Sequence, residues 1–73
     1  MQPQFTDKAK TALVLAEKAA RSLHQSYVGS EHLLLGLLRE DTGVAAAVLK
    51  KHGIEADKVK DMIKDLIVPE SSV

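Results

Sequence analysis

The chain has no cysteine and no tryptophan among its 73 residues, and its aromatic content is one phenylalanine and one tyrosine. Without cysteine there is no disulfide framework and no thiolate metal site, which suits a reducing compartment. With only Phe5 and Tyr27, base stacking and an aromatic-lined cofactor pocket are both disfavoured. Ten basic and ten acidic residues cancel, so the basic footprint of a nucleic-acid binder is missing. The longest strictly apolar run, Val44 to Leu49, is far too short to span a membrane. Met1 to Lys10 carries no apolar stretch of signal-peptide type, so a cytoplasmic location is expected.

The length allows one domain. Hydrophobic content of 45% and charged content of 27% are ordinary for a globular chain. For this size, the gain from apolar burial and the loss of chain entropy nearly cancel. A lone copy is therefore expected to be marginal unless it is well-packed helix or gains a partner.

Four helices are legible. Phe5, Ala9, Leu13, Ala16, Ala20 and Leu23 step by fours and threes along a first helix. Thr6 is its expected N-cap, Asp7 lies in its first turn, Glu17 and Arg21 form an exposed i, i+4 pair, and it ends near His24. Ser30 is expected to cap a second helix that begins with Glu31. Leu33, Leu34, Leu35, Leu37 and Leu38 make this helix apolar nearly all round, which predicts a central position. Gly36 in its middle costs about 1 kcal/mol against alanine and predicts close approach of another helix. A third helix is expected to be capped by Thr42, to carry a stripe of Val44, Ala45, Val48 and Leu49, and to stop at a left-handed Gly53. The fourth carries Val59, Met62, Ile63, Leu66 and Ile67, a full amphipathic set, with Pro69 past its end. No alternating strand pattern occurs. The expected fold is all-α, a compact bundle of four short helices over 5–68, with tails at 1–4 and 69–73.

Signals for chemistry are sparse. His24, His32 and His52 have no metal-ligating spacing, and a structural role is expected for each. Asp57, Asp61 and Asp65 recur every four residues, interleaved with Lys58, Lys60 and Lys64, as a solvated helix face does. No nucleophile triad and no glycine-rich phosphate loop is present, so no enzymatic activity, metal or cofactor is expected. Val48 to Ile63 has the outline of a helix-turn-helix, but its second helix is acidic where a recognition helix needs basic and amide side chains. The helix starts at Thr6 and Ser30 attract anions, and Glu31 can accept a guanidinium through two hydrogen bonds. Such groups suit a ligand that carries both charges, but from composition and spacing alone plain capping, with Glu31 complementing the helix dipole, is the favoured reading.

The segment Tyr27-Val28-Gly29-Ser30-Glu31-His32-Leu33-Leu34-Leu35-Gly36-Leu37-Leu38-Arg39-Glu40 resembles the N-terminal domain of Clp-type AAA+ unfoldases, most closely the ClpC type. That family shows Gly-Thr-Glu-His, then an aliphatic run, Gly-Leu and a basic-acidic pair. Phe5-Thr6, Gly43-Val44-Ala45 and Leu49 to Gly53 match further positions, and the resemblance covers about 5–67, with Ser30 in place of the usual threonine. The family's domain contains two such repeats related by a pseudo-two-fold, and this sequence matches one of them, without an AAA+ module. The resemblance implies recruitment of adaptor proteins and of marked or unfolded substrates to a Clp ring. It further implies phosphoarginine binding at Thr6 and Glu31, with Phe5 and Ser30 as secondary candidates. A standalone subunit that stabilises a protease assembly is the alternative, and a small DNA-binding regulator is disfavoured by charge. A homodimer is expected to replace the missing repeat, through the alanine-rich faces of the first and third helices.

Overall fold

The computed structural model describes residues 4–67. Among them are four helices and no strand: α1 (Asp7–Ser22), α2 (Ser30–Glu40), α3 (Val44–Lys51) and α4 (Ala56–Leu66). The expected position of Pro69 beyond the fourth helix lies outside the described residues. Helix α2 is the hub, with α1, α3 and α4 each packed against it, as its nearly continuous apolar surface requires.

The α1–α2 contact is built on small residues. Ala12, Ala16, Ala19 and Ala20 are the buried residues of α1. Opposite them, Gly36 has no room for a side chain. A Cβ there would lie inside contact distance of the Ala12 carbonyl oxygen, 2.9 Å from Ala16 N and 3.1 Å from Ala16 Cβ. The two helices run antiparallel, so the start of α1 meets the end of α2, where Lys8 Nζ donates to the Thr42 carbonyl at 3.0 Å. The core proper joins Ala19, Leu23, Leu35 and Ile63, with Val59 and Ile67 packed against it.

The helix ends follow local chemistry. Thr6 caps α1, its Oγ1 accepting from Ala9 N at 3.1 Å. After α1, Gln25 N donates to Ala20 O at 2.9 Å and His24 takes the left-handed conformation at φ 59°, the closure usually given to glycine. Gly53 (φ 76°) does the same after α3, with Ile54 N donating to Leu49 O at 3.0 Å.

Several sequence expectations need correction. Gly29, not Ser30, is the N-cap of α2, and Ser30 is its first helical residue. Gly43, not Thr42, is the N-cap of α3. Thr42 instead turns its hydroxyl and its N–H to the Glu40 carboxylate. In α4 only the narrow line of Val59, Ile63 and Ile67 reaches the core. Met62 and Leu66 are 64% and 82% exposed, because none of the described helices packs over the flank of α4 that carries them. Phe5 and Leu13, expected on the buried stripe of α1, are also exposed. The alanines of α1 that were expected at a homodimer contact are consumed within the chain, against α2.

Candidate ligand-recognition site

The start of α2 is an unusual helix end. Gly29 has extended backbone (φ −97°, ψ −180°) and no side chain with which to cap. Its carbonyl accepts from His32 N and Leu33 N, both at 3.1 Å. Its N–H donates to Nδ1 of His32 at 2.8 Å, so an imidazole performs the reach-back that a glutamate performs in a capping box. A ring nitrogen that accepts carries no proton, which places the ring proton of neutral His32 on Nε2. His32 is fully buried, and Nε2 has no hydrogen-bond partner among the described residues. The Tyr27 ring stands edge-on to it, with centroids 5.4 Å apart. His32 is thus a structural residue of the motif, as its isolation in the sequence suggests.

Glu31 lies in the first turn of α2, half-buried. Tyr27 Oη donates to Glu31 Oε2 at 3.4 Å, and the rest of the carboxylate folds back over Gly29. A carboxylate at this helix end complements the positive end of the dipole. Ser30, next to it, is exposed.

Thr6 lies elsewhere. It shares a shallow groove with Lys8, Leu37, Glu40 and Gly43, at the far end of the α1–α2 pair. Glu40 is nine residues along α2 from Glu31, about 13 Å of helix rise. One chain therefore does not bring Thr6 and Glu31 together. Phe5 lines a separate apolar groove of about 200 Å³ with Ala9, Ala12, Leu13, Leu33 and Leu37.

The sequence reading missed two features. Tyr27 and Gly29 frame the Glu31 carboxylate, which their i, i+4 and i, i+2 spacing permits but does not announce. Glu40 is the second. Its carboxylate accepts from Gly43 N at 2.7 Å, from Thr42 N at 3.1 Å and from the Thr42 hydroxyl. The Thr42 hydroxyl, together with the Thr42 and Gly43 N–H groups and the Lys8 charge, holds the Glu40 carboxyl below the ordinary range, against a smaller opposing effect of desolvation. Glu40 standing three residues before a helix-starting glycine is the sequence signal for this clamp.

Among the described residues there is no cluster of histidine and carboxylate groups able to hold a metal, and no helix is long and apolar enough to cross a membrane.

Residues 4–73 match the family described as Clp repeat (R) N-terminal domain. The chain is 49% identical over 59 residues to the chaperone protein ClpC, chloroplastic, of Pisum sativum, covering 81% of this chain and 6% of that protein. It is 44% identical over 63 residues to the chaperone protein ClpB of Oceanobacillus iheyensis, covering 86% of this chain and 8% of that protein. It is 44% identical over 69 residues to the ATP-dependent Clp protease ATP-binding subunit ClpA homolog, chloroplastic, of Brassica napus, covering 94% and 8%. The chain thus spans less than a tenth of the length of these relatives. With its four helices, its Gly-Ser-Glu-His helix start and these matches, the chain belongs to the Clp repeat N-terminal domain family.

Proposed function

We propose that this domain is a non-catalytic recognition module that recruits substrates or adaptors to a Clp unfoldase, and that Glu31 receives the guanidinium of a phosphoarginine mark. The observation that carries this reading is the seat of the Glu31 carboxylate, bonded to the Tyr27 hydroxyl and laid back on Gly29 at the start of α2. A carboxylate so placed can accept a planar guanidinium through two parallel hydrogen bonds.

The phosphoryl group is bonded to a guanidinium nitrogen, so its oxygens must be met within a few ångströms of Glu31. Thr6 of the same chain is too far along the helix pair for that. In this reading, Thr6 and the adjoining N–H groups of α1 therefore come from a second repeat or a second copy. The exposure of Val44, Val48, Met62 and Leu66 supports such a partner, because it leaves apolar surface to cover. It equally favours a second reading, a subunit whose role is to stabilise a protease assembly.

Isothermal titration with phosphoarginine separates the two. Recognition predicts saturable binding that Glu31→Ala weakens about ten- to a hundredfold, that Thr6→Ala also weakens, and that Lys64→Ala leaves unchanged. Absence of saturable binding by the intact domain would favour the purely structural role.

A further inference from the structure

Gly29 occupies a position whose glycine is not explained by its backbone. Its φ of −97° and ψ of −180° are open to any residue. The N-cap position accepts glycine about as readily as threonine but does not require it, and Gly29 makes no side-chain cap bond. Its own N–H is already satisfied by His32. What a side chain would change is the space beside the carboxylate. A Cβ at Gly29 would stand inside contact distance of Glu31 Oε1, 3.0 Å from Glu31 Cδ and 3.1 Å from Tyr27 Cε2.

We infer that Gly29 is a positioning residue for Glu31: its bare Cα, with the Tyr27 ring and hydroxyl beside it, holds the carboxylate folded back at the start of α2. The inference rests on the reading in which Glu31 receives a guanidinium, and it adds the residue that sets where that acceptor stands. The atoms a methyl would strike belong to the free end of a flexible side chain. A methyl therefore leaves the helix in place and drives the carboxylate away from its seat. Gly36 is the contrast, since a methyl there meets the backbone of α1 and damages the fold itself. The two glycines of the same motif thus serve different ends, Gly29 the acceptor and Gly36 the packing.

Three chains test this: Gly29→Ala, Glu31→Ala and the double variant, each against wild type. Without ligand, proton–proton contacts in NMR spectra should join the Glu31 γ-methylene to the Gly29 α-protons in wild type, and Gly29→Ala should abolish that arrangement while helicity and thermal midpoint stay close to wild type. With phosphoarginine as the probe, Gly29→Ala should weaken binding about tenfold or more. The double variant should bind no worse than Glu31→Ala, since a residue acting through Glu31 has nothing left to act on. A wild-type Glu31 side chain that never contacts Gly29 overturns the inference, as does a Gly29→Ala chain that binds like wild type while Glu31→Ala does not. If wild type itself fails to bind phosphoarginine, the recognition reading falls, and the ligand-free contacts still decide the positioning claim.

Discussion

Gly36 faces the carbonyl oxygen of Ala12 so closely that any side chain at 36 would collide with the backbone of α1. This contact sets the distance between α1 and α2, the most extensively packed helix pair among the described residues, and lets α2 act as the hub. Alanine at 36 improves helix propensity by about 1 kcal/mol yet forces the helices apart. Gly36→Ala should therefore lower stability, by the roughly 1–3 kcal/mol typical of overpacking. Urea unfolding followed by circular dichroism checks this, and a more stable Gly36→Ala chain would refute the close contact.

Why Gly36 was legible and Gly29 was not has a physical reason. A glycine in the middle of a leucine-rich helix violates propensity, and close packing is the simple relief for that violation. A glycine at a helix start violates nothing, so its role emerges only once the Glu31 carboxylate is seen lying over it. The same holds for the caps. Thr6 was legible because its Oγ1 bonds locally, accepting from Ala9 N three residues on. Thr42 was misread because the Glu40 carboxylate takes both its hydroxyl and its N–H. The apolar periodicity located α4, yet it did not tell which flank would be covered, since that depends on how many helices pack against it. The motif pointed to Thr6 and Glu31 as parts of one site, and only the antiparallel run of α1 on α2 places them at opposite ends.

The Thr6 cap should be worth about 1 kcal/mol. Thermal melts of Thr6→Ala and Thr6→Ser check it: the alanine variant should lose that amount, while serine, which keeps an acceptor oxygen, should stay within a few tenths. Equal losses would mean that the methyl group, and not the Oγ1 bond to Ala9 N, carries the effect.

The two flanks of α4 should respond unequally. Ile63 is buried against Leu35 and Leu23, so Ile63→Ala should cost about 2–5 kcal/mol. Leu66 is 82% exposed, and Leu66→Ala should fall within about 0.5 kcal/mol of wild type. If dilute, monomeric protein loses comparable stability in both, the placement of α4 is wrong.

Glu40 should make the α2–α3 corner sensitive to acid. Its folded-state carboxyl is held below the ordinary range, first by the Thr42 hydroxyl. The charged form therefore favours the folded state. That contribution is fully present above the ordinary glutamate range, near pH 4, and is lost as pH falls through the lowered folded value. Wild type should exceed Glu40→Gln in stability at neutral pH, and the gap should close on acidification below about pH 4. A gap that is constant across this window would contradict the clamp.

The central claim is that Glu31, at the start of α2, is the acceptor of a guanidinium-bearing mark. Titrating the isotope-labelled domain with phosphoarginine, and following the amide resonances, tests it most directly. The account predicts saturable shifts centred on Tyr27 to His32, and their loss in Glu31→Ala at the same ligand concentrations. Shifts that leave this segment untouched, or that persist undiminished in Glu31→Ala, would contradict it.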